Sequence, residues 1–258
     1  MEADPRRWLT VLRASHARLH ALIESMSPTD LRTQSFDTEW TIAQVLSHLG
    51  SQAEIFGLFL DAALRGEPPP GPEAFPPVWD AWNTRPPEQA ATDSLAANDR
   101  YNTRLDALSD ETLAQPVTLF GMNLLIGDMA RMRVSEHAVH SWDIAVSFDP
   151  NAVIAADAVA LLIDTVPAIA ARGGKPRQQP FDLRVHTTAP ERDYVLSVHD
   201  AVELRSFAGE GCAGSLDLPA EALVRLVFGR LDAAHTPVLA LASDEVDLDE
   251  LRRVFPGF

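Results

Sequence analysis

The stretch "RMRVSEHAVHSWDIAV", residues 131–146, sets Glu136, His137, His140 and Asp143 among apolar neighbours in a helical pattern. At 3.6 residues per turn, Glu136, His140 and Asp143 fall at i, i+4 and i+7 and share a face with Met129, Met132 and Val139. His137 points about a quarter-turn away. The shared face is the apolar one, so Glu136 is drawn into an interior where a lone carboxylate must find a cation or take a proton. His48 stands at the edge of the apolar stripe Ile42, Val45, Leu46 and Leu49, and supplies an imidazole from a second helix. Two imidazoles and one carboxylate suit a divalent ion such as zinc, and three protein ligands leave a position open for water or substrate. Asp143, one turn beyond His140, is placed to accept a hydrogen bond from the ring N–H that faces away from the metal. A glutamate and a histidine four apart also arise by chance, and the competing reading is a metal-free core in which Glu136 bonds His48. His16, His20, His186, His199 and His235 show no carboxylate in ligand-like spacing and read as structural or solvated.

These side chains need long helices to hold them. Residues 5–26 carry Trp8, Val11, Leu12, Leu19, Leu22 and Ile23 at helical spacing, and "SPTD" ends the pattern. Thr41 followed by Gln44 has capping-box spacing and opens a second helix. "RGEPPPGPEAFPP" reads as a long loop, because its prolines lack a donor and clash with a preceding turn. A third helix is expected from about Gln89 to Leu108, then an extended or hairpin excursion in "QPVTLFGMNLLIGD", with Asp128 capping the helix of the opening stretch. One further helix is expected in "AADAVALLIDTVPAIAA". The Gly/Pro-rich "RGGKPRQQP" then marks a boundary between a helical domain, 1–172, and a second domain, 173–258. Beyond it, "FDLRVHTT", "YVLSVHD", "VELRSF" and "GSLDL" alternate with period two and read as antiparallel strands. "PAEALVRLVFGRL", with Pro219 in its first turn, and "VDLDELRRVF" read as helices, so the second domain is α+β.

Composition narrows the function classes. With 46% apolar and 22% charged residues and no apolar run near the roughly 18 residues of a bilayer span, a globular cytoplasmic protein is expected. The formal charge of −16 and the scattered placement of 21 Lys and Arg disfavour nucleic acid. Cys212 is the single cysteine, so neither an intrachain disulfide nor a cysteine-based zinc knuckle can form, and thiol chemistry would need an external thiol.

The order "EWTIAQVLSHLG", "RMRVSEHAVHSWDIA" and "LPAEALVRLVFGR" resembles the mycothiol-dependent maleylpyruvate isomerase family over nearly the whole chain. The resemblance implies a DinB-like four-helix bundle followed by a smaller domain related to sterol-carrier folds. It carries metal-ligand roles onto His48, Glu136 and His140, usually with zinc, and implies mycothiol as the thiol cosubstrate. The implied chemistry is attack of a metal-activated thiolate on a small electrophile such as maleylpyruvate, as isomerisation or as thiol transfer. A dicarboxylate would need a cationic anchor. Arg85 is the first candidate, beside Trp79 and Trp82, followed by Arg131 and Arg133, though for all three a solvated arginine is the plainer reading; a helix-end cap and local ion pair explain Arg230 at least as well. The rival function is a metal-binding or regulatory protein that holds a small apolar ligand without turnover. A monomer or a homodimer fits either reading.

Overall fold

The computed structural model describes residues 4–37 and 39–257. Its contacts divide into two compact units, Met1–Asp149 and Pro150–Phe258.

In the first unit, α1 (Pro5–Glu24), α2 (Ile42–Arg65), α4 (Pro87–Asp106) and α6 (Asp128–Ala145) are the long helices expected from the apolar periodicity. α1 packs on α4 and α6, and α2 packs on α4 and α6, which closes a four-helix bundle. Thr41 caps α2 as expected: its side chain accepts from Gln44 N–H, while the Gln44 carboxamide oxygen accepts from Thr41 N–H at 2.8 Å. The stripe Ile42, Val45, Leu46 and Leu49 is fully buried in a cluster with Leu19, Ile23 and Ile144, and this fixes the rotation of α2. Gly66 ends α2 in the left-handed conformation, φ 66°.

The proline-rich segment is shorter as a loop than expected, because α3 (Phe75–Asn83) starts inside it. Pro76 and Pro77 lie in the first turn, where a missing N–H breaks no helical bond. After α5 (Asp110–Leu113), β1 (Pro116–Leu119) and β2 (Met122–Leu125) form the expected hairpin. Asp128 is the first residue of α6 rather than its cap, and its Oδ2 accepts from Leu125 N–H at 2.9 Å.

The second unit begins earlier than residue 173. The segment expected as one helix is two, α7 (Ala156–Leu162) and α8 (Val166–Gly173), because Pro167 cannot continue the ladder and instead sits in the first turn of α8. Both pack within the second unit, against β5 and α9 defined below, and this places them beyond the division at Asp149. The sheet holds β3 (Phe181–Thr188), β4 (Arg192–Val198), β5 (Val202–Ser206), β6 (Gly214–Pro219) and β7 (Ala240–Ser243) in the order β5-β4-β3-β6-β7. It is dominated by antiparallel pairs, but β3 and β6 are parallel, and β7 is too short and small-residued to announce itself in the sequence. α9 (Ala220–Val227) and α10 (Leu248–Val254) complete this α+β unit. Among the described residues no helix is long and apolar enough to cross a membrane.

Candidate functional site

α2 and α6 bring His48, Glu136 and His140 together, with one donor atom from each lying within 4.8 Å of the others. Glu136 Oε2 is 3.0 Å from His48 Nε2 and 3.6 Å from His140 Nε2. Their side chains are 26%, 31% and 12% exposed for His48, Glu136 and His140, so the cluster lies at the margin of the core and is partly exposed. Fully buried Asp143 stands behind His140, its Oδ2 accepting from the Nδ1 N–H at 2.9 Å. That bond assigns the tautomer: Nδ1 carries the proton, and Nε2 faces the cluster.

The electrostatics follow from the packing. Burial pushes Glu136 up, but the adjoining His140 and His48 outweigh it and hold the carboxyl well below its ordinary range. Burial pulls His140 down, and Asp143 with Glu136 more than reverses this, raising the imidazole to about 9. Burial dominates at His48 and lowers it.

Gln52, one turn beyond His48, places its amide nitrogen 2.9 Å from Glu136 Oε2 and 3.0 Å from His48 Nε2. With His48 Nε2 protonated, its N–H and that of Gln52 both donate to Glu136 Oε2; with Nε2 bare, its lone pair accepts from Gln52 but also faces the carboxylate at 3.0 Å, a repulsion that a cation between the two would relieve. The donor set, two imidazole nitrogens and one carboxylate oxygen with a carboxylate behind one imidazole, therefore fits a divalent ion.

Trp40 forms a wall over both imidazoles, its ring centroid 5.1 Å from that of His48 and 6.2 Å from that of His140. Neither Trp40 nor Gln52 was singled out by residue type, since neither is a usual ligand; the helical offset of four from His48 is the signal that could have found Gln52.

The other expected residues have contacts of their own. Arg85 pairs with Asp93 at 3.0 Å and stacks 3.6 Å over the Trp82 ring. Trp82 is a core residue seated on Gly50, while Trp79 is exposed, so the two do not form one cleft wall. Arg131 lies 3.5 Å from Asp128, and Arg133 is buried beside Gln52. Arg230 donates to Phe228 O at 2.8 Å near the end of α9. His137 is absent from the donor set, as its angle on the helix implied, yet it is fully buried, bonded to Asn98 Oδ1 at 2.9 Å. His16 is held by Asp99, His20 by Glu24, His199 by Asp182 and His235 by Asp232. One expectation needs correcting: the β3–β4 pairing sets His186 opposite Asp193, and with Glu191 they form a second compact group of donors. Arg184 already donates to the same Asp193 oxygen at 2.7 Å, which disfavours a cation there.

The family profile described as the mycothiol maleylpyruvate isomerase N-terminal domain matches residues 12–145. No functionally curated protein matches the chain. Among solved structures, a mycothiol-dependent maleylpyruvate isomerase superposes with a TM-score of 0.72 at 15% identity over 95% of each chain. A histidine-to-alanine mutant of a mycothiol-dependent maleylpyruvate isomerase gives 0.71 at 14% identity, again over 95% of each chain. At that identity the superposition establishes the fold, and the profile, spanning more than half of the sequence, establishes kinship: the chain belongs to the mycothiol maleylpyruvate isomerase N-terminal domain family.

Proposed function

We propose that the protein is a divalent-metal-dependent enzyme that uses mycothiol to isomerise, or to be transferred onto, a small electrophile of the maleylpyruvate type. The observation that carries this reading is the convergence of His48, Glu136 and His140, with Asp143 fixing the His140 tautomer. Zinc is the ion for which this donor set is most ordinary. A bound divalent cation would supply Lewis acidity that favours the ionised form of a nearby thiol.

The chain's own residues hold and shape the site. His48 and His140 present ring nitrogens, Glu136 a carboxylate oxygen and Trp40 an apolar wall that limits water on one side. In isomerisation, the ionised sulfur adds to one carbon of the cis double bond, and the electron pair moves onto the conjugated carbonyl. Rotation about the resulting single bond and expulsion of the sulfur restore the double bond as trans and regenerate the thiol, so no oxidant or reductant is consumed. In transfer, the carbanion formed by the addition takes up a proton, the one lost when the thiol ionised, and the conjugate leaves with its new carbon–sulfur bond.

The test is metal analysis of the purified protein with His48→Ala and Glu136→Ala, together with assays of maleylpyruvate and a general electrophile in the presence of mycothiol. The expected result is one metal ion per wild-type chain, little in either variant, and metal-dependent turnover. Full metal in both variants removes these residues as ligands. Stoichiometric metal without turnover on either substrate favours the non-catalytic binding protein.

A further inference from the structure

We infer that Gln52 is a positioning residue whose amide N–H, aimed by buried Arg133, donates to the anionic atom of the ligand beside His48, Glu136 and His140. The inference rests on the metal reading proposed above and concerns what that site selects.

Arg133 lies one turn before His137 on α6 and is fully buried. Its guanidinium donates to the Gln52 side-chain oxygen, to Asn98 Oδ1 at 2.7 Å and to Leu49 O at 3.2 Å. None of these acceptors is a carboxylate. Asn98 cannot turn away, because its amide nitrogen donates to Ser94 O at 2.9 Å and Leu49 O at 3.3 Å. A guanidinium has only donors, so the oxygen of Gln52 must face Arg133 and the NH2 must face the cluster. The orientation of this amide is thus dictated from the core and does not adapt to the ligand.

Two consequences follow. With its oxygen sequestered, Gln52 cannot become a fourth protein ligand, and the open position stays open. Glu136 Oε2, at 2.9 Å, and His48 Nε2, at 3.0 Å, are themselves 3.0 Å apart, so both lie on one side of the amide nitrogen and compete for its donors. With a cation held by His48 and Glu136, the lone pairs facing the Gln52 amide would be engaged, and an anionic atom at the open position would supply its N–H donors with an acceptor. An ionised thiol sulfur and a small inorganic anion share this chemistry; a neutral ligand gains less from the donor.

The full-length protein reconstituted with cobalt(II) gives a visible spectrum that responds to ligand at the open position, and sodium azide serves as the probe. Gln52→Leu is expected to keep one cobalt per chain and its absorption envelope, while the azide Kd rises about tenfold or more. Gln52→Glu, which presents an acceptor and a negative charge instead of a donor, is expected to hold cobalt at least as tightly and to lose azide binding. Unchanged azide affinity in Gln52→Leu overturns the inference alone. Loss of stoichiometric cobalt from that variant also overturns it, by making Gln52 a builder of the cluster. A wild-type protein that takes up no cobalt overturns the metal reading and this inference with it.

Discussion

Loading the cluster with a divalent cation is expected to release one proton per ion near pH 7, and the proton comes from His140. Each group's state follows from its neighbours. Glu136, held well below its ordinary range, is ionised at pH 7; His48, lowered by burial, is neutral; His140, raised to about 9, is protonated. A ligand must offer a lone pair, so His140 has to surrender its Nε2 proton while Asp143 keeps the one on Nδ1. Metal affinity should therefore strengthen about tenfold, or about 1.4 kcal/mol, for each pH unit from roughly 6.5 to 8.5, and level off as pH passes the His140 value. The sign for folding is opposite in the metal-free protein. A folded pKa raised above the unfolded 6.5 gives stability that is fully present below pH 6.5 and lost as pH climbs through about 9. Titration calorimetry with zinc in buffers of different ionisation enthalpy counts the released protons. Asp143→Asn, which removes the carboxylate that raises His140, should reduce both the proton count and the pH slope. Zero proton release in the wild type, or affinity constant between pH 6.5 and 8.5, would refute the reasoning.

Gly50→Ala should cost about 1–3 kcal/mol in thermal or denaturant unfolding, because a Cβ on α2 would run into the face of Trp82. Thr41→Val removes the side-chain oxygen of the capping box and should cost about 1 kcal/mol, without altering metal stoichiometry. Cobalt or nickel should quench part of the tryptophan fluorescence through Trp40, whose ring lies 5.1 Å from that of His48. Trp40→Phe should abolish that change while preserving metal uptake; a quench of undiminished size would place its source elsewhere.

The bundle was legible because its helices are long enough for periodicity to speak. Val45, Leu46 and Leu49 fix the rotation of α2, and once that rotation is set, the position of His48 at the stripe's edge follows. Glu136 and His140 were legible for the same reason on α6. What escaped was what periodicity does not encode. The prolines of residues 68–77 read as a loop because their chemistry breaks a helix interior, yet two of them start α3. Pro167 divides a segment whose apolar pattern runs on without interruption. The parallel β3–β6 pair depends on how the chain crosses from one edge of the sheet to the centre, and an alternating pattern carries no direction. The surroundings of Arg85, expected as an anchor beside Trp79 and Trp82, were not legible either, because its ion pair with Asp93 follows no helical spacing. Arg133 carried the opposite error: a long cation reads as solvated, and its burial is explained only by three acceptors drawn from two other helices.

That buried cation also bears on what the cluster accepts. In the metal-free state at neutral pH, Arg133 and protonated His140 contribute two positive charges, Glu136 and Asp143 two negative ones, and the interior is balanced. Exchange of the His140 proton for a divalent ion adds one net positive charge to the same volume, where uncompensated charge is expensive. A monoanion at the open position restores the balance, and a neutral ligand does not. On the metal reading, a preference for an ionised ligand would arise from the charge count of the core as well as from the Gln52 donor. The two causes separate in the laboratory: Gln52→Leu removes the donor and leaves the count intact, so azide should still bind more tightly than a neutral ligand of similar size, whereas Asp143→Asn raises the positive excess and should strengthen azide binding relative to wild type. Weaker azide binding in Asp143→Asn, with cobalt retained, would show that charge balance does not govern the choice.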